Sequence, residues 1–220
     1  MTQSNKETTV DGLRFFGRMS AAISHDLKNT LSIMNESAGL IEDLALMAEN
    51  KGRPLDPQRI HQLGATIKRQ IQRNDGIVRN MNQFAHSVDH SFKEIGLTAN
   101  LQMLSTICRR LTDARGVAVA VTPSDPDIGI VTRPFHLLHL VWLLLAWAMD
   151  HVDEGKRLSL QARSVQDHVH LECRGIAGAT AAAAFPPAPW TELLELLAAR
   201  VEMDTAQQAI VAVLPRRMAA

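Results

Sequence analysis

Apolar residues spaced three and four apart constrain this chain more than any other feature. They run Phe16, Met19, Ile23, Leu27, Leu31, Met34, Ala38, Ile41 and Ala45. Steps of three and four draw one stripe along an α-helix, a pattern that a strand cannot use. Lys51-Gly52-Arg53-Pro54 interrupts the stripe, and Asp56-Pro57 then supplies an N-cap and a first-turn proline for a second helix. That helix carries Ile60, Leu63, Ile67, Ile71, Val78, Met81, Ala85 and Val88, with Asn74 where another apolar residue would complete the stripe. A polar residue at one such position often fixes register. Two long helices joined by a short link form an antiparallel hairpin. A single hairpin has too little surface to bury both stripes, so a homodimer through residues 8 to 93, paired as a four-helix bundle, is expected.

The pattern changes near Ile95. Thr98 is placed to cap a helix running to about Ala114, which Gly116 would end. Val117 to Thr122 and Ile128 to Val131 read as short strands around the turn Ser124-Asp125-Pro126-Asp127. Pro134 opens an apolar helix ending near His151. Arg157 to Arg163 and His168 to Arg174 alternate like a β-hairpin with one buried face. Ala177 to Pro189 reads as a loop, Trp190 to Val201 as a helix and Ala209 to Leu214 as a last strand. The expected fold is mostly α with a C-terminal α+β part: a helical hairpin over residues 1–94, then an α/β sandwich over residues 95–220.

The chain has 220 residues, which at about 100–200 residues per domain allows one large domain or two small ones. Lys and Arg number 23, as do Asp and Glu, so the basic excess of a nucleic-acid binder is missing. Cys108 and Cys173 lie far apart with no metal-type spacing, which points to free thiols in a reducing compartment. The polar start MTQSNKETTV has no signal-peptide core, and the longest apolar run, Phe135 to Met149, falls short of the roughly 20 residues a membrane span needs. A cytoplasmic protein with no membrane and no nucleic-acid partner is expected.

One local segment carries chemistry: Ser24-His25-Asp26-Leu27-Lys28-Asn29-Thr30-Leu31. His25 lies about 200° round the helix from Ile23 and Leu27, so its imidazole faces away from the stripe. Lys28 and Asn29 follow at i+3 and i+4 and share its face. An exposed imidazole is a good nucleophile and can hold a labile phosphoryl group. Asp26 can fix which ring nitrogen bears the proton, Lys28 can offset phosphoryl charge, and Asn29 can orient the group or a water. An ordinary solvated helix face can carry the same residue types.

The segment resembles the phosphoacceptor box of two-component sensor histidine kinases, where an acidic residue follows the histidine and Asn or Thr lies four after it. His25, Asp26 and Asn29 match, and Lys28 matches a lysine of dedicated phosphotransfer domains; many kinases have proline where Thr30 stands. The expected hairpin is also similar to that family's dimerisation and phosphotransfer domain. The second half resembles its ATP-binding domain in the order of elements, but in degenerate form. The resemblance implies two asparagines on the apolar helix, one of them a magnesium ligand. Leu143 and Trp147 stand there, and neither offers an oxygen donor. It also implies an adenine-reading Asp before glycines; here Gly175 occupies that place in Arg174-Gly175-Ile176-Ala177-Gly178. The glycine-rich lid is missing.

The resemblance therefore implies a histidine phosphotransferase of a bacterial phosphorelay. His25 would pass a phosphoryl group between receiver-domain aspartates without ATP-dependent autophosphorylation. This chain would bind no cofactor, the receiver bringing its own Mg²⁺. Its partners would be a second copy, response-regulator receiver domains and possibly a hybrid histidine kinase. The alternatives are a response-regulator phosphatase, with Asn29 positioning water, and a non-catalytic pseudokinase scaffold. Elsewhere, His86 and His90 at i and i+4 lack further ligands and read as surface residues. His168 and His170 share a strand face, Arg109-Arg110 and Arg216-Arg217 read as solvated, and Trp142 and Trp147 as core, with Trp147 also placed to block a former nucleotide cavity.

Overall fold

The structure is a computed structural model that describes residues 3–52, 54–124, 126–177 and 185–218. Arg53, Asp125 and Gly178 of the motifs above, and most of the Ala/Pro-rich loop, lie outside these residues. Two long helices come first, α1 (Gln3–Lys51) and α2 (Pro57–Ala85), followed by a 3₁₀ turn at His86–Val88. Asp56 caps α2 as its sequence position implies: its Oδ1 accepts from the Gln58 N–H at 2.9 Å, and its carbonyl accepts from Ile60 N–H at 3.2 Å.

The chain packs as two compact units. One is Ser20–Gln83; the other joins Met1–Met19 to Phe84–Ala220. The sequence changes pattern near residue 94, whereas packing draws the first turns of α1 into the second unit. Aromatic rings hold them there: Phe15 meets Phe84 edge-on at 5.5 Å and Phe135 at 5.5 Å.

Within Ser20–Gln83, α1 and α2 form an antiparallel hairpin in which Thr30 meets Asn74. The line of α1 buried inside the chain is offset from the sequence stripe, because it includes polar residues. Thr30 is 0% and Ser37 5% exposed, while Leu31 of the stripe is 54% exposed. Both hydroxyls are satisfied by their own helix, Thr30 by the Leu27 carbonyl and Ser37 by the Ile33 carbonyl, each at 2.8 Å. A hydrophobicity pattern does not register such residues as core.

The second unit holds a five-stranded sheet in the order β2-β4-β5-β7-β6 and a separate antiparallel pair, β1-β3. The strands are β1 (Lys93–Gly96), β2 (Ala118–Thr122), β3 (Gly129–Thr132), β4 (Arg157–Val165), β5 (His168–Arg174), β6 (Arg200–Asp204) and β7 (Ala209–Pro215). β2 pairs parallel with β4, and the other neighbours are antiparallel. Alternation puts Leu158, Leu160, Ala162, Val169, Leu171 and Cys173 on the buried face, where α3 (Leu97–Asp113) and α4 (Pro134–Asp150) pack. Each fully buried Leu or Val contributes about 1.5–3 kcal/mol, so this face adds substantially to stability. On the other face, Glu172 is gripped by Arg174, whose Nε and Nη2 donate to Oε2 at 2.9 and 2.7 Å. α3 ends as expected at Gly116, whose φ of 67° forms a Schellman turn: Val117 N–H donates to the Thr112 carbonyl at 3.0 Å and Gly116 N–H to Asp113 at 2.9 Å.

Two expectations need correction, and one strand carries no sequence signal. Thr98 does not cap α3. It lies inside the first turn, and its own N–H donates to Asp127 Oδ1 at 3.0 Å, so the cap comes from a distant loop. The helix read from Trp190 to Val201 is shorter: a 3₁₀ turn (Ala188–Trp190) leads into α5 (Thr191–Leu196), and Ala198 at φ 47° ends it. The residues that follow form β6, whose alternating Val201 and Met203 lie behind a Leu-rich stretch that masks them. β1 was not expected at all, being four residues long with two of them charged. Cys108 and Cys173 are free and buried, and burial pushes both thiols up to about 12.

Candidate functional site

α1 runs unbroken through the His25 segment. Thr30, standing where a proline would remove an N–H, leaves the backbone ladder of the helix intact. The His25 side chain is 51% and that of Asp26 23% exposed. Lys28 and Asn29 are exposed. The structure thus leaves His25, Lys28 and Asn29 open to solvent on neighbouring turns, as their spacing implies. Asp26 turns toward the covered side, and its Oδ1 lies 3.7 Å from His25 Nδ1. That is an electrostatic contact, longer than a hydrogen bond. It favours the tautomer with the proton on Nδ1 and leaves Nε2 with its lone pair.

A support for this segment was only half legible in the sequence. Thr30 Oγ1 sits 2.8 Å from both the Leu27 carbonyl and Asn74 Oδ1. One hydroxyl proton cannot serve two acceptors. With the Asn74 carboxamide turned over, Thr30 donates to Leu27 and accepts from Asn74 Nδ2, so both contacts of the hydroxyl become hydrogen bonds. Asn74 is therefore a polar pin between the two helices, on the far side of α1 from His25. Its place on the stripe signalled it; its partner could not be read.

The region where a nucleotide would be expected from the resemblance is built differently. Leu143 and Trp147 lie on one face of α4. The Trp147 ring stacks on His151 at 3.9 Å and 16°, and Phe185 meets it edge-on at 4.9 Å. His151 Nδ1 lies 2.9 Å from the Trp147 carbonyl, which holds the stack. Gly175 has φ 101°, and a Cβ there would collide with the Arg157 carbonyl oxygen of the neighbouring strand. Gly175 also donates its N–H to Gln208 at 3.1 Å and accepts from Asp153 N–H at 3.0 Å. No side chain fits at this position, so none can reach out to read a base.

The second unit buries one histidine deeply. His139 is 5% exposed and stacks on Phe15 at 4.9 Å. Burial, offset in part by Asp11, lowers its pKa to about 4, so the ring is neutral at pH 7. His86 is occupied by Asp89, with Nδ1 and Oδ2 2.7 Å apart. Among the described residues, no group of three or more His, Cys, Asp or Glu is placed to hold a metal ion. No helix among them is long and apolar enough to cross a membrane.

No family model matches the chain, and no curated protein matches it in sequence. Solved structures resemble it in outline. It is similar to the nucleotide-free catalytic domain of histidine kinase ThkA (9% identity, TM-score 0.49), over 59% of this chain and 100% of that one. It is also similar to Acinetobacter baumannii histidine kinase AdeS (12% identity, TM-score 0.48), over 87% of this chain and 98% of that one. A structure described as a bacterial phosphotransferase aligns with 91% of this chain and 95% of its own at 11% identity and a TM-score of 0.42. At such identities a likeness says nothing about chemistry.

Proposed function

We propose that the chain is a histidine phosphotransferase that carries a phosphoryl group on His25 between the aspartates of receiver domains, without ATP-dependent autophosphorylation. The observation that carries this reading is the pairing of an open imidazole with a carboxylate on the Nδ1 side, flanked by Lys28 and Asn29. Nε2 attacks the phosphorus of the receiver's acyl phosphate. The P–N bond forms as the P–O bond breaks, and the aspartate leaves as its carboxylate. Nδ1 keeps its proton, and Asp26 offsets the positive charge that develops on the ring. Lys28 offsets charge on the phosphoryl oxygens, and Asn29 orients them. The second transfer reverses these steps onto another aspartate. This chain supplies no cofactor; the receiver brings the Mg²⁺.

The same reading makes the protein a homodimer. Leu31 and Ile71 of the two helices are 54% and 47% exposed, and a second copy laid against them closes a four-helix bundle. Light scattering of the full chain at micromolar concentration should give twice the chain mass.

The test of function is incubation with a phosphorylated receiver. Acid-labile label should appear on the chain, and His25→Ala should abolish it while the protein stays folded. Lys28→Ala should slow transfer without stopping it, and Asn29→Ala should mainly change how fast the phosphorylated regulator hydrolyses. Loss of receiver phosphate without any label on His25 would favour a phosphatase in which Asn29 positions water. Absence of both would leave a scaffold.

A further inference from the structure

A cavity of about 200 Å³ opens between the first turns of α1, α4 and the 3₁₀ turn before α5, all within the second unit. His25 chemistry makes no use of it. Its walls are mainly apolar: Trp142 and Trp190 line it and are only 5% and 6% exposed. Its polar groups come from α1 residues Asp11, Arg14 and Arg18, which recur at helical spacing along one face, and from His139. Asp11 and Arg14 satisfy each other at 3.0 Å. Arg18 has no carboxylate partner among the described residues; its guanidinium lies 5.5 Å from the centre of the Trp142 ring. His139 is uncharged at neutral pH, so the lining carries two guanidiniums against one carboxylate.

We propose that this cavity binds a small aromatic monocarboxylate, with its ring against Trp142 and Trp190 and its carboxylate on Arg18. Size, wall chemistry and charge agree on this class. A dry cavity of roughly 150 Å³ accepts benzene, so one ring with a short acid arm fits here and a nucleotide does not. Rings prefer edge or offset contact with indoles, which two differently placed tryptophans allow. Arg18 offers a planar fork to a carboxylate, and the Asp11 carboxylate at the rim opposes a second negative charge. The binding needs no receiver and no phosphoryl transfer, so its outcome is separate from that of the relay reading.

The test uses the full chain and phenylacetate as probe, followed by saturation-transfer NMR and by the shift in melting temperature. Phenylacetate should bind saturably below millimolar concentration. Phenylacetamide, of the same shape without the charge, should bind at least about tenfold more weakly, and inorganic phosphate should not compete. Arg18→Gln, at an exposed position that does not endanger folding, should cost about tenfold in affinity for phenylacetate and leave the amide unchanged. Leu143→Phe, which fills the cavity from α4, should abolish binding of both. Equal binding of acid and amide, unchanged affinity in Arg18→Gln, or no saturable binding in the millimolar range would overturn the proposal.

Discussion

The turn of α1 around His25 and the end of α4 with Gly175 differ in what they leave open. Around His25 the reactive groups stand in solvent, and only Asp26 leans on the hairpin. Around α4, side chains have closed on one another: Trp147 stacks on His151 and Phe185, and Gly175 is pressed against Arg157. A phosphoacceptor needs accessibility more than enclosure, because its partner brings the rest of the site. A nucleotide site would need enclosed polar groups, and around Trp147 aromatic side chains pack on one another instead. The first region should therefore tolerate substitution structurally while losing function, and the second should do the reverse.

The largest effect belongs to Gly175. Gly175→Ala should destabilise the second unit by roughly 4 kcal/mol or more, since the change forces strain at a positive φ and a backbone collision together. Urea denaturation checks it, and a loss under about 1 kcal/mol would mean that β4 and β5 can separate to admit a side chain. Gly175→Asp should then fail to restore nucleotide binding in any fraction that folds.

The next effect is on pH. The folded pKa of His139 lies near 4 against 6.5 unfolded, so the unfolded state binds the extra proton between those values. Stability is complete above pH 6.5 and falls as pH drops toward 4, by about 3 kcal/mol for this group. His136, also lowered by burial and by Arg133, adds in the same direction. Melting temperatures from pH 7 to pH 4 should decline less steeply in His139→Phe. An unchanged slope would place the proton-sensitive group elsewhere.

A smaller effect is expected at the hairpin pin. Thr30→Val leaves the half-buried Asn74 without this partner and should cost roughly 1 kcal/mol. Thr30→Val with Asn74→Leu should recover most of it, because both polar groups then leave together. Additive losses in the double variant would show that the two side chains do not interact.

The smallest effect on stability is at His25 itself. His25→Ala should change the unfolding free energy by no more than about 0.5 kcal/mol, as an exposed side chain with a weak contact contributes little. Calorimetric melting checks it, and a clear loss would mean that the ring supports the hairpin.

The helices α1 and α2, the hairpin of β4 and β5, and the outward face of His25 were legible because each follows from periodicity alone. β1 and β6 were not. β1 is too short to show alternation, and β6 follows a run of leucines that reads as more helix. Thr98 looked like a cap because its residue type suits one, whereas Asp127, the group that does the capping, is brought close by the fold. Local sequence cannot express a partner that distant. The same limit hid Thr30 beneath the stripe, since its burial depends on Asn74 across the hairpin. Leu143 and Trp147 are plain in the sequence, but only the backbone at Gly175 shows that a side chain there has no room.

The most direct test sets the two regions against each other in one preparation. The full chain is exposed, in separate reactions, to radiolabelled Mg-ATP and to a receiver domain carrying radiolabelled aspartyl phosphate. Label should pass from the receiver to His25, in a form stable to base and labile to acid, and none should arrive from ATP. Label from ATP, or receiver-derived label persisting in His25→Ala, would contradict the proposal that His25 carries a phosphoryl group taken from a receiver and not from ATP.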